Sequence, residues 1–530
     1  MNNTQIPLFP PRSLEELVAD IDILTAEIQE LYCQDHLPWV IGYSGGKDSS
    51  CILQLIWNAI ELLPVEKRQK KIYVITTDTL VENPIVAHWV KGCLKRIEIT
   101  AKEQKMPFEP HLLTPEVKNS FWVCLMGKGY PAPRQGFRWC TDRMKIKPAD
   151  NFIRETVRNH GEIILVLGVR KAESVTRGKN MEKHAKGRFR DRLNLNSHLP
   201  NSYIYTPIED WRTDEVWLYL MQWKNPWGGD NQDLFTLYRG ATADNECPLV
   251  VDTSTPSCGD SRFGCWVCTM VSKDKSMGAM IQNDEEKEWL QPLLDIRNEL
   301  DIRDDRDKRD FRRIYGKVEL FERNVEGETS IEPIPGPYVK KWREYWLTKV
   351  LEAEESIRKF APPEFQEIQL ITTEELSEIR RIWLEEKHEF DDSLPRIYQQ
   401  VKKQEFIDPR IGAGNSLLGK EEWEILQDLC EDEMQLELMT KLLDIERQYF
   451  TKIRRIGIYQ ALEKCFETSS RSKEEAIANA HHIRDIKNAA KQGDIKTLQQ
   501  KLTWGNVKFS PQKNDEKLFN QDIKDPDKEG

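Results

Sequence analysis

Val40-Ile41-Gly42-Tyr43-Ser44-Gly45-Gly46-Lys47-Asp48-Ser49-Ser50-Cys51-Ile52 joins a short apolar run to a helical pattern through a glycine-rich loop. Pro38–Tyr43 has the composition of a buried strand. From Ser49 onward, Ile52, Leu53, Leu55, Ile56 and Ile60 are spaced to line one face of a helix. Glycine lets a backbone approach an anion closely, and a helix N-terminus presents N–H groups and the positive end of its dipole. The arrangement therefore predicts a phosphate site. It is not the common P-loop, which needs Ser or Thr after its Gly-Lys pair, because Asp48 follows Lys47. A tight strand–helix turn without a ligand is the plain structural alternative.

The spacing Ser-Gly-Gly-x-Asp-Ser resembles the pyrophosphate loop of the ATP-pyrophosphatase (PP-loop) superfamily, whose members cut ATP to AMP and pyrophosphate while adenylating a substrate oxygen. The resemblance implies that Ser44, Gly45, Gly46, Lys47, Asp48 and Ser49 hold the phosphates, with Mg²⁺ offsetting their charge, and that Lys47 and Asp48 act in catalysis.

Working outward, Ser13–Leu31 reads as an amphipathic helix opened by a Ser13/Glu16 capping box. Lys71–Thr77 reads as a second strand, so Thr77 and Asp78 fall at a carboxyl end, where ligands of open parallel sheets bind. Pro84–Lys105 reads as a helix and Phe108–Leu113 as a third strand. Gly161–Gly168 is a continuous apolar run, as expected of a strand covered on both faces. Alternating strands and helices predict an α/β fold with a doubly wound, mostly parallel sheet.

Gly168-Val169-Arg170-Lys171-Ala172-Glu173-Ser174 resembles the Gly-x-Arg-x-x-Glu-Ser element of the sulfonucleotide (PAPS/APS) reductase branch of the superfamily. Pro207-Ile208-Glu209-Asp210-Trp211 resembles that branch's Pro-Leu-x-Asp-Trp element. The resemblance spans Leu37–Tyr219. It implies that Gly168, Arg170 and Arg177 belong to the nucleotide site, with Arg170 and Arg177 as forked oxyanion donors. Surface ion pairs are the bland alternative for both arginines. A basic run from Lys179 to Arg192 reads as a polyanion-contacting or merely solvated loop.

The chain has 11 cysteines, which without a signal pattern in Met1–Arg12 points to metal or redox chemistry rather than disulfides. Cys265-Trp266-Val267-Cys268 is a CxxC pair, with Cys258 upstream. Cys140 is the remote candidate, in Arg138-Trp139-Cys140-Thr141-Asp142-Arg143-Met144-Lys145-Ile146-Lys147-Pro148. That stretch resembles the Cys-Cys-x-x-x-Lys-x-x-Pro neighbourhood of iron–sulfur APS reductases, with Trp139 in place of the first Cys. Cys140, Cys258, Cys265 and Cys268 are thereby implied as ligands of a [4Fe–4S] cluster, although four thiolates suit Zn²⁺ equally. Cys247 is a rival ligand or a persulfide carrier, and Cys124 a weaker carrier candidate. Cys33, Cys51, Cys93, Cys430 and Cys465 read as packing residues.

True PAPS reductases carry a catalytic Cys near the C-terminus in a Glu-Cys-Gly-x-His element. The last cysteine here, Cys465, is followed by Phe466-Glu467-Thr468 and stands in no such element. The cysteine stretch Thr255–Cys268 instead resembles the DNA phosphorothioation sulfurtransferases (the DndC family). This implies ATP-dependent replacement of a DNA backbone oxygen by sulfur, with a cysteine desulfurase as sulfur donor and other phosphorothioation-operon proteins as partners. The alternatives are a sulfonucleotide reductase, a tRNA thiolation enzyme, or a non-catalytic nucleotide-sensing DNA-binding subunit.

A net charge of −11 argues against a chain coated in positive charge while leaving a local basic patch open. No apolar run approaches the length of a membrane span, and a cytoplasmic protein is expected. The expected organisation is a helical segment over 1–36, the PP-loop domain over 37–277, a charged connector over 278–336, a mainly helical C-terminal domain over 337–509, and a disordered tail over 510–530. Pro333–Pro337 marks the main break. The mixed charges of 295–313 read as a solvated face.

Overall fold

The computed structural model describes residues 12–134, 136–173, 192–196, 198–241, 263–325, 328–409, 420–450, 454–469 and 472–494. Arg177, Cys247, Cys258 and most of the basic run lie outside the described residues. The chain divides into two compact units, 1–308 with 338–423 and 309–337 with 424–530.

The first unit is built on a six-stranded sheet in the order β3-β2-β1-β4-β6-β5. Its strands are β1 (Trp39–Gly42), β2 (Ile72–Thr77), β3 (Phe108–Leu113), β4 (Ile163–Val166), β5 (Asn194–Leu195) and β6 (Ser202–Tyr205). All pairings are parallel except β5 on β6. Trp39, Val40 and Ile41 of β1 and Ile163, Ile164 and Val166 of β4 are wholly buried, the expected state of strands with helices on both faces. The sheet grows from β1 toward β2 on one side and toward β4 on the other. That reversal opens a crevice beyond the carboxyl ends of the strands.

Helix α1 (Leu14–Gln34) begins with the Ser13/Glu16 capping box. Helix α2 (Lys47–Glu61) is sunk deep in the core: Cys51, Ile52, Leu53, Ile56 and Trp57 are wholly or almost wholly covered. Trp57 stacks on Phe108 at 4.5 Å between ring centres. Helix α3 (Pro84–Glu103) links β2 to β3, and α4 (Lys147–His160) precedes β4. The connection to α4 is a wide, π-type turn over Thr141–Ile146. Helices α5 (Thr213–Gln222) and α6 (Asn231–Gly240) close the sheet region.

Helices α7 (Lys275–Asn283), α8 (Gln291–Leu300), α9 (Lys340–Phe360), α10 (Thr373–Arg381) and α11 (Ser393–Lys402) continue the same unit. They share a second apolar core with Trp122, Trp139, Trp266 and Val267. The helices after the proline-rich break are therefore packed with the cysteine stretch, not set apart from it. Tryptophan drives this: Trp122 Nε1 donates to Leu370 O at 2.8 Å and Trp383 Nε1 to Met126 O at 2.8 Å.

The second unit contains an antiparallel hairpin, β7 (Leu320–Val325) and β8 (Glu328–Pro333), which the sequence reading did not foresee. Residues 420–465, whose apolar spacing reads as one long helical pattern, are instead broken into α12 (Lys420–Leu429), α13 (Glu433–Phe450) and α14 (Ile458–Ser469), and α15 (Lys473–Gln492) follows. The charge run is not simply solvated. In the first unit Asp305 is buried and receives bonds from Arg134 (2.9 Å) and Tyr338 (3.3 Å). In the second, Arg312 is shared between Asp310 (3.1 Å) and Glu437 (2.8 Å). Cys33 is exposed rather than packed.

Candidate active site

The crevice at the strand ends is a cleft of about 1260 Å³, entirely within the first unit. The loop from Tyr43 to Asp48 forms one wall. Gly45 has φ of +72°, a conformation that glycine adopts without strain, and a Cβ there would meet Val90 at 2.5 Å. The loop braces itself: Ser49 Oγ donates to Gly46 O (3.0 Å), Ser44 N donates to Ser49 Oγ (3.2 Å), and Trp89 Nε1 donates to Gly45 O (3.1 Å). Gly46 is the N-cap of α2 and makes no side-chain cap bond, so the helix mouth opens on the cleft.

Lys47 Nζ lies 3.3 Å from Asp48 Oδ2. Arg170, only 2% exposed, donates from Nε to Asp48 Oδ1 at 2.6 Å. Its Nη1 donates to Trp211 O (3.3 Å) and Thr213 Oγ1 (3.2 Å). The Arg170 fork thus aims Asp48 and ties it to the Trp211 segment. Gly168 passes so close to the start of α2 that a Cβ would lie 2.9 Å from Asp48 O. Thr77 and Asp78 line the cleft, and Asp78 is held by Leu80 N (2.9 Å) and Lys91 Nζ (3.2 Å).

The CxxC pair meets this cleft through the segment after β2. Glu82 and Cys265 pair as an antiparallel bridge, and Trp266 N donates to Val81 O at 2.9 Å. Cys265 Sγ sits 3.3 Å from Thr79 Oγ1 and 3.6 Å from Glu82 Oε1, and Lys145 Nζ is 3.5 Å from the same Glu82 oxygen. Glu82 and Lys145 also line the cleft. Burial, reinforced by the Glu82 charge, pushes the Cys265 thiol up to about 12. Burial opposes the Lys145 ammonium, but Cys265 and Glu82 overcome it and hold its pKa above the usual value. Burial raises the Cys140 thiol; a hydrogen bond with Thr141 opposes the shift and the nearby Cys268 adds to it.

The described cysteines are free thiols. Cys140, Cys265 and Cys268 converge on one region, but among the described residues no group of His, Cys, Asp or Glu side chains is arranged to hold a metal ion. As a donor set, thiols from two distant stretches beside a lysine suit a soft metal centre completed by a further thiolate. Cys124 is buried against Arg143 Nη1 at 3.6 Å, away from solvent.

Residues the sequence reading missed also shape the site. Tyr238 of α6 accepts from Lys47 N at 3.3 Å, and its ring meets Phe263 edge-on at 4.7 Å, two residues before Cys265. Arg297 of α8 is buried and donates to the carbonyls of Cys268 (3.0 Å), Val271 and Ser272 (3.3 Å), clamping the chain that leaves the CxxC pair. No local motif announces either residue.

Residues 38–227 match the family model of the phosphoadenosine phosphosulfate reductase domain. That stretch is a reductase-like PP-loop domain. The match takes in Cys140 and stops before Tyr238, Cys265 and Cys268. An uncharacterized protein of Methanocaldococcus jannaschii, MJ0066, is 26% identical over 200 residues, 38% of this chain and 35% of that protein. The chain thus spans about a third of the length of that curated relative. Among solved structures, the U34-tRNA thiolase NcsA from Methanococcus maripaludis with its [4Fe–4S] cluster is similar at a TM-score of 0.25 and 12% identity, covering 54% of this chain and 80% of that one. Candida glabrata FMN adenylyltransferase with FAD and inorganic pyrophosphate also has a TM-score of 0.25, at 13% identity, covering 47% of this chain and 73% of that one. Among the described residues no helix is long and apolar enough to cross a membrane.

Proposed function

We propose that the chain is an ATP-dependent sulfurtransferase that replaces a backbone oxygen of DNA with sulfur. The observation that carries this reading is the shared cleft: the phosphate loop forms one wall, and Glu82 and Lys145, which touch or face the Cys265 thiol, form another. A phosphodiester oxygen is a poor leaving group. Attack of that oxygen on the α-phosphorus of ATP breaks the α–β bond, releases pyrophosphate and leaves the oxygen adenylated. Attack by sulfide on the activated phosphorus then expels AMP, which carries the oxygen away. If the sulfur arrives as a cysteine persulfide, its outer sulfur attacks, AMP leaves, and a thiol reductant cleaves the remaining S–S bond, releasing the phosphorothioate and leaving a disulfide.

In this scheme the loop residues from Ser44 to Ser49, with Mg²⁺, hold the β- and γ-phosphates. Lys47 steadies the charge that develops there, and Arg170 keeps Asp48 in place. Cys140, Cys258, Cys265 and Cys268 would hold a [4Fe–4S] cluster; with a cysteine on every iron it would leave no iron open to sulfur and would serve to hold the two cysteine stretches together. Cys247 is the candidate persulfide carrier. A cysteine desulfurase supplies the sulfur, and the operon's other proteins assist.

The test is to incubate the chain with ATP, Mg²⁺, a cysteine desulfurase with cysteine, and either DNA or tRNA. Phosphorothioate in the DNA together with pyrophosphate release, both lost in Asp48→Ala, is the expected outcome. Thiolated tRNA with unmodified DNA would replace the proposed substrate. Sulfite formed from PAPS or APS and a thiol would replace the reaction.

A further inference from the structure

We propose that Tyr238 is a phosphate-contacting residue, its phenol O–H donating to an oxygen of the polyphosphate held at the β1–α2 loop. The inference rests on the nucleotide reading of that loop and adds to it a ligand from beyond the family-matched stretch. Tyr238 reaches the loop from α6, and its oxygen accepts from the first backbone N–H of α2 at 3.3 Å. That oxygen would lie 3.0 Å from a side-chain carbon at Gly46, and the ring centre is 5.3 Å from Lys47 Nζ. The hydroxyl therefore stands in the mouth of the helix, on the cleft wall, where a bound anion would be drawn.

The ring is fixed. It is 8% exposed and wedged between Trp217 (5.2 Å) and Phe263 (4.7 Å), both edge-on. Having accepted from Lys47, the phenol still has its own proton to give, and among the described residues none takes it. Burial pushes the Tyr238 phenol far up, so it remains a donor across the physiological range. A charged phosphate oxygen is the acceptor this geometry lacks.

Tyr238→Phe removes one oxygen and leaves the ring contacts in place. Calorimetry on the full chain with Mg²⁺ should show ATP and inorganic pyrophosphate both binding roughly tenfold or more weakly, as for loss of a hydrogen bond to a charged group, with adenosine binding unchanged. In the unmutated chain, pyrophosphate should also perturb the tyrosine ultraviolet spectrum, and the variant should lack that signal. Wild-type affinity for both anions in the variant overturns the inference, as does an equal loss of adenosine binding. A wild-type chain that binds neither ATP nor pyrophosphate overturns the nucleotide reading underneath it.

Discussion

A methyl group at position 168 would meet backbone, not a flexible side chain: it would lie 2.9 Å from Asp48 O and 3.0 Å from Asp48 C. Backbone yields only by moving the start of α2, and with it the Asp48 side chain that Arg170 holds. Gly168→Ala is therefore expected to cost about 1–3 kcal/mol of stability, as overpacking does, and to weaken ATP binding as well. Denaturant unfolding and ATP titration of the same variant check both. The sequence placed Gly168, Arg170 and the loop in one site because a motif is a local arrangement, and the local arrangement is what the fold preserves. It read Arg170 as an oxyanion fork, whereas its Nε and Nη1 serve Asp48, Trp211 and Thr213. Tyr238 and Arg297 were invisible because each acts across a long sequence separation on a backbone N–H or carbonyl, groups that every residue carries.

At the level of the element, β3 shows how a strand sets its own response to acid. His111 lies between the Tyr73 ring (5.6 Å) and the Phe152 ring (4.9 Å), and its buried Nε2 has no hydrogen-bond partner among the described residues. Burial lowers its pKa; nearby Glu109 opposes the shift and Lys71 adds to it. The unfolded chain then takes up a proton near the ordinary histidine value of about 6.5, and the folded chain only at lower pH. Stability should fall as pH drops through that window and level off below the folded value. Urea unfolding at stepped pH should show a shallower acid slope in His111→Phe than in the wild type.

Elements with a clean period were legible: β3 is found over Phe108–Leu113 as read, and α1 with its capping box. The breaks inside 420–465 were not, because the apolar period there runs on past the Cys430–Asp432 interruption and the Asp432 side chain alone marks the restart, accepting from Gln435 N at 2.7 Å. The β7–β8 hairpin carries too many charged residues to show an alternating apolar face.

For the molecule as a whole, the break at Pro333–Pro337 suggested a separate helical body over 337–509, and the first unit instead runs on through 338–423. Sequence distance hid this. Trp383 bonds Met126 O, Trp122 bonds Leu370 O, and the Trp122 ring lies 5.7 Å from Trp266, inside the CxxC pair. The later helices thus form the floor on which the thiols rest. Trp383→Ala should remove about 3–5 kcal/mol, as for other large aromatic truncations in a core. Because its support passes through Met126 and Trp122 to Trp266, the variant should also let iodoacetamide alkylate Cys265 faster under native conditions. A detached appendage would lose stability with no change at Cys265, so the alkylation rate, followed residue by residue in peptide maps, separates the two architectures.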